Sequence, residues 1–242
     1  MRPRLVIMLK EPRPGRVKTR LGRDIGVIPA TWWFRHQTAA LIRSLRDPRW
    51  QIVLAVAPER AVASRAWPAD LPRLAQGGGD LGARMKRMLQ AAPQNRLSGP
   101  AAGRAAPDPR VKPQVCLRQN GRALSHPPRV RRVPSRIVPP TCLIGGDIPG
   151  VTRAHVARAF KALGDHEAVF GPAEDGGYWL VAAKHPARLP DGLFENVRWS
   201  SEHALADTLA TAPGLRIAFT DVLRDVDTGA DLRTGRPEHR LR

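Results

Sequence analysis

The sequence is poor in cysteine, in aromatic residues and in negative charge, and it has no long apolar run. Only Cys116 and Cys142 occur in 242 residues. They make no C-x-x-C pair and no ligand-like spacing, which excludes a disulfide framework or a cysteine zinc site. One Tyr, five Phe and six Trp leave little for extended stacking platforms. No stretch approaches the ~18–20 apolar residues of a membrane-spanning helix. The run Leu5–Leu9 is too short for a secretory h-region, so a cytoplasmic protein without a membrane partner is expected. A Walker loop, G-x-x-x-x-G-K-[ST], is absent as well.

What is present is a chain of ordinary hydrophobic content, 42%, which excludes wholesale disorder. Its length suits one substantial core, since single cores serve chains up to roughly 250 residues. The shortage of acid, 21 Asp and Glu against 40 Lys and Arg, leaves a formal charge of +19. That charge is unevenly placed. Between Gln94 and Pro140, ten Arg or Lys residues face only Asp108, so this stretch carries +9.

Residues 93–136 are crowded with Pro, Arg, Gly and Ser and follow neither helical nor strand period. Such a segment buries too little to offset a backbone ordering entropy of ~1–2 kcal/mol per residue. The expectation is a disordered or loosely attached insertion. The alternative, a basic arm for nucleic acid, lacks interleaved aromatics. The predicted organisation is therefore one domain over 1–235, interrupted by 93–136, with 236–242 as a tail.

Outside that segment, periodicities alternate. Leu5–Leu9 and Gln51–Ala57 read as buried strands. Ala30–Leu45 reads as an amphipathic helix, with Trp33, Ala40, Leu41 and Leu45 at roughly helical spacing. In "QGGGDLGARMKRMLQA" a glycine turn precedes Asp80, a helix N-cap for Leu81, Met85, Met88 and Leu89. "TCLIGGDIPGVT" is a strand, and Thr152 caps a helix over Arg153–Leu163. "EAVFGPAEDGGYWLVAA" gives two apolar runs around a Gly-rich acidic turn. Residues 200–211 read as a helix capped by Ser200, an acceptor contact being the alternative for that residue, and "LRIAF" as a strand. Trp32, Trp33 and Phe34 are expected in the core or at an interface, His155 and His203 at the surface. Alternating strands and helices predict an α/β sandwich on a mainly parallel sheet, whose ligands bind beyond the strand C-terminal ends.

Polar constellations follow the strands. "LKEPRPGRVKTRLG" gathers Lys10, Arg13, Arg16, Lys18 and Arg20 around Pro12, Pro14 and Gly15. Arginine forks and lysine ammonium groups both suit phosphate oxygens; a solvated basic loop is the bland alternative. Asp147, after a buried strand, needs a partner, and Thr152 is better placed to cap the next helix. A metal or a hydroxyl is then expected at Asp147, Mg²⁺ favouring one or two carboxylates plus phosphates. In "GPAEDGGYWL", an Asp-Gly turn explains Asp175 and Gly176 but not Glu174 and Gly177. In "RDVDTGADL", Asp225 and Asp227 share a side if extended. Alternatively Asp227 or Thr228 caps a short helix, or Arg224 pairs with either carboxylate.

The blocks "KEPRPGRVKTRL", "GGGDLGARM", "LIGGDIPGVT", "GPAEDGGYWLV", "LFENVRWSSE" and "LRDVDT" follow the order seen in the bacterial DUF2064 family, which the chain resembles over most of 4–92 and 140–232. The family is similar to the GT-A, nucleotide-diphospho-sugar transferase superfamily. The opening loop also resembles that of 2-phospholactate and molybdopterin guanylyltransferases. The resemblance implies a single-domain, GT-A-like three-layer α/β/α sandwich with a mixed, mainly parallel sheet. It implies a Mg²⁺- or Mn²⁺-dependent transferase that moves a glycosyl or nucleotidyl group from a nucleotide or nucleotide-sugar donor to a small-molecule acceptor. Lys18 and Asp147 would be catalytic, and Asp147 and Asp227 would hold the metal. Lys10, Pro14, Gly15, Arg16, Lys18, Arg20, Gly79 and Asp80 would bind the nucleotide and its phosphates. Glu174, Asp175, Gly176, Gly177 and Tyr178 would line the acceptor side. The 93–136 segment departs from the family pattern, in which a short connection joins helix and strand. Two other classes compete: a non-catalytic nucleotide-binding relative, and nucleic-acid binding through the basic insertion.

Overall fold

The computed structural model describes residues 1–91 and 138–234; the expectation for 93–136 and the tail 236–242 lie outside them. Among the described residues, seven strands form one sheet: β1 (Arg4–Lys10), β2 (Gln51–Ala57), β3 (Arg73–Ala75), β4 (Thr141–Gly145), β5 (Ala168–Pro172), β6 (Tyr178–Ala183) and β7 (Ile217–Phe219). Their order is β3-β2-β1-β4-β6-β5-β7. Neighbours are parallel except where β6 pairs with β4 and β5. The central strands are apolar along their length because both faces are covered: Leu5, Val6, Ile7 and Leu9 of β1 are all buried.

Alternate residues of a strand face opposite ways, and each face has its own core. Leu5, Ile7 and Leu9 pack with Leu41, Ile42 and Leu45 at the end of α2 (Val27–Ser44) and with Val156 and Ala159 of α4 (Arg153–Ala162). Val6, Val53 and Ala55 pack with Met85, Met88 and Leu89 of α3 (Leu81–Gln90). The result is the expected α/β/α sandwich. The remaining helices, α1 (Thr19–Ile25), α5 (Ala204–Ala210) and α6 (Gly229–Thr234), are short.

Local capping follows the sequence. Asp80 Oδ1 accepts from the Ala83 amide at 2.8 Å. Thr152 Oγ1 accepts from the His155 amide, and His155 Nδ1 returns the bond to the Thr152 amide, closing a capping box.

Three expectations need correction. The buried stripe of α2 runs through Ala30, Phe34, Thr38 and Leu41, so Trp32, expected in the core or at an interface, is 56% exposed and lies outside the core. The helix expected over 200–211 begins only at Ala204, and its N-cap is His203. Ser200 adopts a left-handed backbone (φ 59°) and caps nothing. Long-range partners override helix there: Arg198 grips Asp207 through both its amide and its guanidinium, and the Leu205 amide donates to the Gly176 carbonyl.

Candidate functional site

The loop after β1 is tied down before it presents its charges. The Glu11 amide donates to the Ala57 carbonyl at the end of β2, and Val17 is buried in the core. Lys18 immediately precedes α1 and takes a left-handed backbone, φ 45°. This turns its side chain inward until only 5% of it is exposed. Its ammonium lies 2.7 Å from Asp147 Oδ2 and 2.8 Å from Asp227 Oδ1. Arg20 reaches the other oxygen of Asp227 at 3.3 Å. Burial alone would depress the lysine, but Asp147 and Asp227 together outweigh it and hold its pKa above the usual value.

Asp147 follows β4 on a glycine elbow. A Cβ on Gly146 would overlap the end of the Leu9 side chain, so any larger residue there would have to push Leu9 aside. Asp225 and Asp227 arrive on the segment after β7. The Asp231 carboxylate fixes that segment, accepting from the Thr228 amide and hydroxyl at 2.7 Å each and from the Asp227 amide at 3.1 Å. Arg224 pairs with Asp231 at 2.8 Å and reaches Glu174 at 3.8 Å. The suggested pairing of Arg224 with Asp225 or Asp227 is therefore wrong; those carboxylates are left to the cavity.

That cavity, about 750 Å³, opens at the C-terminal ends of the parallel strands. On one side it is lined by Lys10, Lys18, Arg20, Asp147 and Asp227, on the other by Asp175, Gly177 and Tyr178. Seven other predicted site residues do not line it. Pro14, Gly15 and Arg16 form an exposed turn closed by the Arg16 amide on the Arg13 carbonyl. Gly79 and Asp80 start α3, where Asp80 is occupied as cap. Glu174 faces Arg224. Gly176, at φ 83°, is pressed against the backbone of Glu202.

Several lining residues went unassigned from sequence. Gln76 is buried, its amide nitrogen donating to the carbonyls of Leu9 at 3.1 Å and Ala55 at 2.9 Å. This presents a fixed amide in the cavity wall. Its position ahead of the glycine run is the only sequence signal it gave. Trp199 and Met85 join Tyr178 in an apolar wall. The Tyr178 hydroxyl contacts Thr208 Oγ1, and burial pushes the phenol far up, so it stays protonated.

Asp225 has no hydrogen-bond partner among the described residues. Burial first, then Asp227 and Asp147, raise its pKa to about 6. Among the described residues no three His, Cys, Asp or Glu side chains are arranged to hold a metal unaided. A hard cation of the Mg²⁺ type does not require that, since it takes one or two carboxylates and fills its shell from phosphate and water. Asp147 and Asp227, which meet at the Lys18 ammonium, are a carboxylate pair that fits such an ion.

Comparison with one solved structure agrees on the fold. A crystal structure from Desulfovibrio desulfuricans G20, of a "putative nucleotide-diphospho-sugar transferase", superposes with TM-score 0.69 at 24% identity, covering 99% of this chain and 90% of that one. Rv0371c of Mycobacterium tuberculosis H37Rv, in complex with manganese, gives 0.47 at 15% identity, covering 97% of each chain. A 4-diphosphocytidyl-2C-methyl-D-erythritol synthase from Anaerococcus prevotii DSM 20548 gives 0.49 at 8% identity, over 96% of this chain and 95% of that one. No curated protein matches the chain. No described helix is long and apolar enough to cross a membrane. The superposition on the Desulfovibrio desulfuricans structure, with the mixed seven-stranded sheet, makes this a GT-A-like α/β fold. Residues 40–131 and 97–201 match one family model, so about two-thirds of the sequence falls within it. The chain belongs to the family described as an uncharacterized protein conserved in bacteria (DUF2064).

Proposed function

We propose that this protein is a divalent-cation-dependent transferase that moves a glycosyl or nucleotidyl group from a nucleotide donor to a small-molecule acceptor. The observation that carries this reading is the meeting of Lys18, Asp147 and Asp227 in one cavity at the C-terminal ends of the strands. Three far-separated parts of the chain contribute, which an incidental surface charge pair would not require.

In this reading Lys10, Lys18 and Arg20 bind the donor phosphates, Lys18 as a point charge and Arg20 as a fork. Asp147 and Asp227 would hold Mg²⁺ or Mn²⁺, which when bound supplies charge neutralisation on the phosphate oxygens. Asp175, Gly177 and Tyr178 form the acceptor side, with Trp199 and Met85 excluding water beside it. The protonated Tyr178 phenol acts there as wall and hydrogen-bond partner, not as a base. As the acceptor attacks, negative charge grows on the departing phosphate, and Lys18 and Arg20 are already in place to balance it. Catalysis is then chiefly positioning and electrostatics.

A thermal-shift screen of nucleoside triphosphates and sugar nucleotides, each with and without Mg²⁺, tests the reading through ligand linkage. The expected result is a Mg²⁺-dependent rise in Tm with at least one of them. With that donor, release of pyrophosphate identifies nucleotidyl transfer, and release of a nucleoside diphosphate identifies glycosyl transfer. No shift with any nucleotide, with or without metal, defeats the reading.

A further inference from the structure

The Lys18 ammonium sits where the two candidate metal carboxylates meet, 2.7 Å from Asp147 and 2.8 Å from Asp227. Resting on the metal-assisted reading above, we propose that Lys18 is a resident competitor for the divalent cation: it bridges Asp147 and Asp227 when the ion is absent and must leave them for the ion to bind.

The same two oxygens cannot serve both cations. An ammonium and a divalent ion sharing them would be at contact distance with like charge, and like charges disfavour each other most where water is scarce. Lys18 is the less exposed partner of both pairs, 5% against 35% and 38% for the aspartates. The entering ion therefore meets carboxylates that still face the cavity, while the departing lysine gives up the groups that offset its burial. Arg20 need not move, because it holds the opposite oxygen of Asp227 at 3.3 Å and is 64% exposed.

A displaced Lys18 needs a new anion inside the same cavity. The donor's phosphates are the group of that chemistry the reading supplies. The competition therefore couples the two ligands. The bare ion binds weakly because it must expel the lysine uncompensated, and the ion with its phosphorylated donor binds well because the lysine transfers to phosphate. The site takes a metal–nucleotide pair in preference to either alone.

The test is Mn²⁺ binding to the full chain without nucleotide, followed by the paramagnetic resonance signal of the free ion. Lys18→Met is expected to bind Mn²⁺ about tenfold more tightly than the wild type, the size of change a neighbouring charge produces. Lys18→Arg, which keeps the charge, should stay near the wild type, and adding Asp147→Asn to Lys18→Met should abolish the gain. A second readout uses the wild type alone: acylation of Lys18 by acetyl N-hydroxysuccinimide, quantified by mass spectrometry, should increase at saturating Mn²⁺. Equal Mn²⁺ affinity in wild type and Lys18→Met, or acylation unchanged while Mn²⁺ is bound, overturns the competition and leaves the metal-assisted reading standing. Mn²⁺ binding to neither protein overturns both.

Discussion

Lys18 Nζ donates to Asp227 Oδ1 at 2.8 Å across 209 residues of sequence. The contact joins the loop after the first strand to the segment after the last, and Asp147, after the central β4, completes it from between them. In a mainly parallel sheet the C-terminal strand ends lie on one rim, so loops remote in sequence become neighbours there.

Replacing Asp147 by Asn should separate function from fold. Loss of the carboxylate removes a candidate metal ligand and one partner of Lys18, and turnover should fall by about 100-fold or more, as for other removed electrostatic contacts. Stability should change by only about 1–2 kcal/mol, because Asp147 is 35% exposed and Lys18 keeps Asp227. Turnover with the donor found by thermal shift, together with urea unfolding, measures both. Full activity in Asp147→Asn would rule out Asp147 as a metal ligand or catalytic group.

Gly176 is the rigid corner of the candidate acceptor side. It combines φ 83° with the carbonyl and Cα of Glu202 packed where a Cβ would stand. Gly176→Ala should cost about 3 kcal/mol or more, adding overlap to left-handed strain, and lower Tm by about 10 °C. Gly214 is the control: it has a similar φ, 78°, with nothing within 4 Å of the Cβ position, so Gly214→Ala should cost only about 1 kcal/mol. Calorimetry of the two variants tests the contrast.

Local and topological features were legible in the sequence; pairings across distant loops were not. Gln51–Ala57 is a strand from end to end, because an apolar, β-branched run states its own burial. The caps Asp80 and Thr152 act over three residues, within reach of a pattern. Ser200 is a proper cap residue by type, yet its segment is shaped by the hairpin at Gly176 and the Arg198–Asp207 clamp. Trp32 is apolar but falls off the stripe set by Phe34 and Leu41. The rim location of Lys18 and Asp147 followed from their places after predicted strands, whereas Asp227 was placed at the site only through the family resemblance. That Lys18 would bridge both aspartates did not follow, since nothing near Lys18 in sequence names its partners.

The Arg198–Asp207 clamp predicts an acid-sensitive loop. Hydrogen bonds from the Arg198 side chain first, then its amide, hold the Asp207 carboxyl well below the usual carboxylate range. The unfolded chain therefore binds more protons than the folded one over this interval. The clamp's contribution is fully present above about pH 4 and is lost as pH falls through the folded pKa. Asp207→Asn should give a Tm lower than wild type at pH 7, with the gap narrowing below pH 4. Because the clamp sets the loop that carries Trp199 into the cavity wall, the variant should also weaken nucleotide-dependent turnover by raising the acceptor's KM. A Tm gap that does not change with pH would mean the carboxylate is not what holds the loop.

Both ends of the basic segment leave from one anchor. The buried Arg4 guanidinium, its pKa lowered by burial to about 10, donates to the carbonyls of Met88, Leu89 and Ala91 at the end of α3. The Arg4 amide donates to the Pro140 carbonyl at 2.8 Å, just before β4. Residues 91 and 140 are thus both held by Arg4, and closing the chain between them calls for only a short linker, with a closure entropy that changes slowly with length. Replacing 94–136 by a few Gly and Ser residues should leave Tm within about 3 °C of the full chain and retain nucleotide binding, while removing +9 of the +19 formal charge. If the full chain binds duplex DNA with the strong salt dependence of phosphate contacts, that binding should disappear with the segment. Arg4→Met, by contrast, leaves three helix-end carbonyls without their donor and should cost about 2–3 kcal/mol in either background. A shortened chain that fails to fold while Arg4 is intact would show that the segment is part of the core domain, and not an insertion into it.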